Sequence, residues 1–147
     1  MSNIKLYVDA NFLSPYAMSA FVALTEKGLE FDIATIDLSS MKNHEASYAE
    51  ISITGRVPTL IHNGFALSES SAIAEYLDEA FPASPLYSKN MQHRASARQV
   101  QAWLRSDLMP LRQERSTEVV FNKPTETPLS LAALTTAQNY SLPPIYC

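Results

Sequence analysis

One cysteine stands in 147 residues, and it is the last of them, Cys147. No intrachain disulfide can form, which fits a reducing compartment and a cytoplasmic protein. Cys147 reads as a tail residue rather than as a reactive thiol. Long apolar runs are also missing. No stretch can span a bilayer, and Met1-Ser2-Asn3-Ile4-Lys5 lacks the apolar core of a signal peptide. Nor is there a basic excess. The formal net charge is −4, which argues against nucleic acid as a partner, since phosphate binding needs a clustered basic surface. Arg94, Arg98, Arg105, Arg112 and Arg115 are interleaved with acids and read as a solvated helix face. His44, His62 and His93 have no metal-ligand spacing, so no metal is expected.

What is present is globular: 46% hydrophobic residues, 18% charged, and only three glycines. That is enough apolar material for one ordinary domain, or for one small domain and part of another. Ile4, Leu6 and Val8 alternate with Lys5, Tyr7 and Asp9, the pattern of a half-buried strand. Ser14-Pro15 predicts a helix start, Met18, Phe21, Val22 and Leu24 its stripe, and Lys27-Gly28 its stop. Phe31 to Leu38 predicts a second strand, parallel to the first. A short helix is expected around Ser47 to Ile53. Thr59-Leu60-Ile61, the Asn63-Gly64 turn and Phe65-Ala66-Leu67 form a hairpin. Ser68 is expected to cap a third helix with the stripe Ile73, Tyr76, Leu77, Ala80 and Phe81.

The fold expected is a thioredoxin-like α/β domain, β-α-β-α-β-β-α, over residues 1–81. Residues 82–89, with Pro82-Ala83-Ser84-Pro85, form a stiff linker. An incomplete all-α region follows over 90–147. Val100, Trp103, Leu104, Leu108 and Leu111 predict one long helix from about Asn90 to Glu114, kinked or ended by Pro110. Trp103 is expected in a core or on a dimer-facing surface. Ser130 to Gln138 can make one more short helix.

Three short motifs carry the chemistry. Phe12-Leu13-Ser14-Pro15-Tyr16-Ala17 joins the first strand to the first helix. A glutaredoxin has Cys-Pro-Tyr-Cys at this point of a thioredoxin-like sheet; this chain has Ser-Pro-Tyr-Ala. Dithiol exchange through the protein is excluded, because a thiolate must attack. A serine hydroxyl and the positive end of a helix can instead hold a substrate's thiol as thiolate. The ordinary use of Ser14, as a helix cap, stands beside this. Val57-Pro58, expected cis, can pair its backbone with a bound peptide; the plain alternative is a strand-edge proline. Glu69 and Ser70 open a helix whose amides and hydroxyl can take a carboxylate while Glu69 takes an ammonium. Ordinary helix capping explains them equally well when taken alone.

Together and in this order, these motifs resemble the glutathione-binding domain of cytosolic glutathione S-transferases, near the serine-type bacterial, theta and zeta members. The resemblance covers residues 1 to about 120. It implies Ser14 as the thiolate-stabilising serine, Val57 and Pro58 as the seat of the cysteinyl backbone, and Glu69 and Ser70 as the γ-glutamyl site. Lys42 or His44 would hold the glycyl carboxylate. It implies glutathione as co-substrate, no metal, an electrophile or a peroxide as second substrate, and a homodimer built on the third helix and the helix from Asn90. Two departures stand out. Of the family's Asn-Pro-x-Gly-x-Val-Pro, only the Gly and Val-Pro remain in Ser52-Ile53-Thr54-Gly55-Arg56-Val57-Pro58. The helical region is also short, Leu129 to Cys147 resembles nothing in it, and a truncated or frame-shifted product is expected. The alternative is a non-catalytic interaction module or a degenerate remnant on the same fold.

Overall fold

Ile4 and Leu6 are buried while Lys5 between them is exposed, as their alternation predicts. In the computed structural model of the chain, which describes residues 3–140, they lie on β1 (Ile4–Asp9). Parallel to β1 runs β2 (Asp32–Ile36), with Leu6 opposite Ile33. On the other side β3 (Thr59–His62) is antiparallel, with Tyr7 opposite Thr59. The hairpin partner β4 (Phe65–Ser68) places Ser68 opposite Thr59 and completes the order β2-β1-β3-β4.

Helix α1 (Pro15–Glu26) starts at a proline, whose missing N–H costs nothing at a helix start. It ends at Lys27, and Gly28 takes the left-handed conformation (φ 66°) that turns the chain toward β2. A 3-10 turn (Lys42–His44) and α2 (Ala46–Ala49) lead to β3, and α3 (Ser70–Ala80) follows β4. Helices α1 and α3 pack together. Their Ala20, Leu24, Ile73 and Leu77, with Leu6 and Leu60 of the sheet, are fully shielded from solvent. The opposite face carries Tyr7, whose ring meets that of Tyr48 on α2 edge-on at 5.8 Å between centroids.

The second strand is shorter than the apolar pattern predicts. Asp37 ends it by accepting from the amides and hydroxyls of Ser39 and Ser40, an Asx-type turn that competes with strand pairing. A buried ion pair closes this unit. Lys27 Nζ donates to Asp78 Oδ1 (3.1 Å) and to the carbonyls of Phe81 (2.9 Å) and Ser84 (2.7 Å). Asp78 also accepts from the Leu86 amide. The proline-rich stretch after α3 is thus held through its carbonyls and amides as well as by proline stiffness.

The chain divides into two units, up to Leu86 and from Tyr87 onward. The second is helical: α4 (Met91–Asp107), α5 (Met109–Glu114), α6 (Thr117–Phe121) and α7 (Leu131–Tyr140). Asn90 caps α4 by accepting from Gln92 and His93. The helix expected from Asn90 to Glu114, kinked or ended by Pro110, is two helices. Pro110 falls in the first turn of α5, where its missing N–H breaks the ladder that α4 would need to continue. Trp103 stacks on Tyr140 (4.5 Å between centroids) and donates its indole N–H to Asp107. Arg94 lies over the Tyr87 ring, so that arginine is not merely solvated. Ser130 donates its amide and hydroxyl to Glu114, joining α5 to α7. Cys147 lies outside the described residues. Among those residues, no helix is long and apolar enough to cross a membrane.

Candidate functional site

The register of the sheet brings the three motifs to one edge. Strand β1 ends there, at Asp9. Its antiparallel neighbour β3 begins there, because Thr59 sits opposite Tyr7. Strand β4 ends there, because Ser68 sits opposite Thr59. The loop carrying Ser14, the Val57–Pro58 peptide and the Glu69 turn therefore form a row across three adjacent strands. Two inter-strand spacings make that row about 10 Å long, and three extended residues span about the same distance.

Ser14 is the N-cap of α1. Its Oγ accepts the Ala17 amide at 3.2 Å. The cap uses a lone pair, so the hydroxyl hydrogen stays available to a further acceptor. The capping role and the donor role coexist in one side chain. Behind it, Asp9 accepts the amides of Leu13 (2.7 Å) and Ser14 (2.9 Å). Asp9 is 6% exposed and fixes the loop from the strand end. Within that loop Phe12 adopts φ 54°, a left-handed conformation that a bulky residue rarely takes. Ser14 and Phe12 border a concavity of about 350 Å³, whose other walls include Val8, Met18, Phe21 and Ile33. Its lining is apolar apart from Asp9 and Ser14.

The Val57–Pro58 peptide is cis. Val57 is buried and lies just ahead of Thr59, the first paired residue of β3. Its main-chain groups therefore fall outside the strand ladder. Glu69 follows β4 directly at φ 75° and ψ 116° and is the N-cap of α3, with no side-chain cap hydrogen bond. This corrects the expectation that Ser68 caps the helix. Ser68 is the last strand residue, and its hydroxyl turns inward to Thr59 and Ser52. The Glu69 carboxylate is left exposed, and Ser70, the first helical residue, is buried. The first-turn amides of α3 have no partners within the helix by geometry.

Lys42 and His44 are exposed on the 3-10 turn. Between them, Asn43 donates its side-chain amide to the Gly55 carbonyl at 2.8 Å. That bond holds the turn against the loop leading to Val57. Neither Lys42 nor His44 makes a hydrogen bond or ion pair to Ser14, Val57, Glu69 or Ser70.

Sequence reasoning missed Asp9, Asn43 and the buried hydroxyls of Tyr48, Ser52, Thr59 and Ser68. Asp9 was masked by the strand alternation, which groups it with exposed Lys5. The one available signal was a carboxylate at a strand end five residues before a Ser-Pro helix start.

Comparisons with known proteins point to one family. The family signature "Glutathione S-transferase, N-terminal domain" matches residues 13–80, and "Glutathione S-transferase, C-terminal domain" matches 90–141. The second match extends the family likeness past residue 120, into the segment from Leu129 that resembled nothing on sequence grounds. A protein of Aplysia californica named "Probable glutathione transferase" is 38% identical over 84 residues, which are 57% of this chain and 88% of that protein. A Caenorhabditis elegans "Probable maleylacetoacetate isomerase" is 33% identical over 111 residues, 76% of this chain and 51% of the relative. A solved glutathione transferase homolog from Burkholderia, with bound glutathione, superposes with a TM-score of 0.74 at 48% identity, covering 92% of this chain and 63% of that one. The chain thus spans most of the Aplysia protein and only about half to two thirds of the other two. With both domain signatures in sequence and a thioredoxin-like sheet carrying the serine, cis-proline and acid-serine motifs along one edge, the chain belongs to the glutathione S-transferase family.

Proposed function

We propose that this chain is a glutathione transferase whose site is the row formed by Ser14, Val57–Pro58 and Glu69–Ser70. The alignment of these three motifs at one sheet edge is the observation that carries the reading. Glutathione would lie extended along it. The Val57 main chain would pair with the cysteinyl residue. The γ-glutamyl carboxylate would meet the α3 amides and the Ser70 hydroxyl, and its ammonium the Glu69 carboxylate. Lys42 or His44 would meet the glycyl carboxylate.

The thiol would then sit near Ser14. Its anion would accept the Ser14 hydroxyl hydrogen and feel the positive end of α1. One pKa unit of lowering requires about 1.4 kcal/mol, and these two effects together supply about one to two units. The bound thiolate attacks the electrophilic carbon of a second substrate in the apolar concavity. A carbon–sulfur bond forms, and the leaving group departs with its bonding pair. With a hydroperoxide, the thiolate attacks the outer oxygen, and a second glutathione completes reduction to alcohol, water and glutathione disulfide. Holding both reactants together does most of the work.

The reading as an enzyme is preferred to a non-catalytic module because Ser14 borders a space able to take a second substrate. A homodimer through α3 and α4, a cytoplasmic location, and the domain limits 1–81, 82–89 and 90–147 belong to the same proposal. Retention on immobilised glutathione, with turnover of an aryl halide or a hydroperoxide, tests it. Retention without turnover supports the module; no retention removes both.

A further inference from the structure

Four hydroxyls lie behind the row, out of solvent. Tyr48, Ser52, Thr59 and Ser68 are 3%, 3%, 0% and 8% exposed. Thr59 is their hub. Its Oγ1 lies 3.0 Å from Tyr48 Oη, 3.1 Å from Ser52 Oγ and 3.1 Å from Ser68 Oγ. Ser52 Oγ and Ser68 Oγ are themselves 3.0 Å apart. The cluster also closes on the Arg56 carbonyl, which Tyr48 Oη reaches at 2.9 Å, Thr59 Oγ1 at 3.2 Å and Ser52 Oγ at 3.3 Å.

The two ends of the cluster meet the two halves of the row. The Arg56 carbonyl and the Val57 N–H share one planar trans peptide and point in opposite directions. Drawing the carbonyl inward therefore aims the Val57 N–H outward. At the other end, Ser68 immediately precedes Glu69. A buried network of this kind is rigid only when every member is satisfied, and removing one partner strands the rest. Burial raises the Tyr48 phenol above its ordinary value, outweighing its hydrogen bonds to Thr59 and Ser52, so it remains protonated at neutral pH.

We propose that the Tyr48–Ser52–Thr59–Ser68 cluster is a positioning device: it aims the Val57 N–H and fixes the Glu69 turn at the spacing that favours a peptide bearing a γ-glutamyl group. The inference rests on the glutathione reading above and adds residues that touch no substrate. It separates the two ends of the cluster. Tyr48→Phe, which cuts the Arg56 end, weakens every peptide seated on Val57. Ser68→Ala, which cuts the Glu69 end, weakens only peptides with a γ-glutamyl group. Thr59→Val does both, and Thr59→Ser, which keeps the hydroxyl, restores both.

Titration calorimetry of the full chain with glutathione and with cysteinylglycine provides the test. Ser68→Ala should lose about tenfold in glutathione affinity, the scale of one buried hydrogen bond, with cysteinylglycine unchanged. Tyr48→Phe should lose similar factors for both. A folded Ser68→Ala variant that keeps the parent's ratio of the two affinities, or a folded Tyr48→Phe variant that keeps both affinities, would make the cluster merely structural and overturn the inference. Should Thr59→Val fail to fold, the two peripheral variants decide the matter. A parent chain that binds neither peptide removes the glutathione reading, and the inference with it; a parent that binds while Ser68→Ala keeps the ratio, or Tyr48→Phe keeps both affinities, removes the inference alone.

Discussion

Asp9 Oδ1 accepts the backbone N–H of Ser14 at 2.9 Å while Oδ2 takes that of Leu13 at 2.7 Å. One buried carboxylate thus sets both the path of the loop and the origin of the first helix. Each hydrogen bond to a charged group contributes about 1.5–3 kcal/mol. Asp9→Ala should therefore cost about 3 kcal/mol in urea unfolding and lower turnover through a displaced Ser14. Asp9→Asn keeps the shape but turns an amide donor toward one of the two N–H groups, so it should recover only part of either loss.

Glu69 holds a backbone conformation that favours glycine, at φ 75°. Such positions cost about 1–3 kcal/mol and tend to occur where function requires them. Glu69→Gly should raise stability by about 1 kcal/mol after the entropy that glycine adds to the unfolded chain. The same change should weaken glutathione binding about tenfold or more, through the lost carboxylate–ammonium contact. Paired thermal melts and calorimetry check the opposite signs; a stability gain with full affinity would remove Glu69 from the site.

Lys27 and Asp78 have side chains 0% and 5% exposed. Removing one partner of a buried pair typically costs about 3–5 kcal/mol, because the other charge is stranded. Lys27→Met should reach that range in denaturant unfolding. Lys27→Met combined with Asp78→Leu should cost much less than the sum of the single changes. Additive losses would mean that the pair is not coupled.

Asp37 is held down to a pKa of about 2 by hydrogen bonds from the hydroxyls of Ser39 and Ser40, followed by their amides. A carboxyl lowered on folding contributes stability that is present above its unfolded pKa, near the ordinary 3.8. That contribution is lost as pH falls through the folded value. An NMR titration should place the Asp37 midpoint near 2, and Ser39→Ala should move it upward. A midpoint at the ordinary value in the parent would remove the Asx-type turn as the stop of β2.

The sheet was legible because its signals are local. The alternation Ile4-Leu6-Val8 marks one strand, the turn Asn63-Gly64 marks a hairpin, and Ser14-Pro15 marks a helix start. Where the sequence misled, one side chain had two local uses and only the tertiary structure chose. Ser68 reads as a helix cap, yet its hydroxyl is drawn into the sheet by Thr59 and Ser52. Asp9 reads as a solvent-facing strand residue, yet the loop folds back over it. The break at Pro110 was legible too: the helix expected to be kinked or ended there stops at Asp107, and α5 begins at Met109. The site motifs were visible as residues. Their alignment depends on which strands are neighbours, and the order β2-β1-β3-β4 is written in no short segment.

The central claim is that Ser14 donates its hydroxyl to a glutathione thiolate. The most direct measurement is the ultraviolet thiolate spectrum of bound glutathione followed against pH, for the parent chain and for Ser14→Ala. The account predicts a bound thiol pKa about one unit or more below that of free glutathione, since stabilising the anion lowers it. In Ser14→Ala it should move back up, while glutathione affinity measured below the thiol pKa changes little. A bound thiol titrating like the free peptide in the parent, or a lowered value that survives Ser14→Ala, would contradict it.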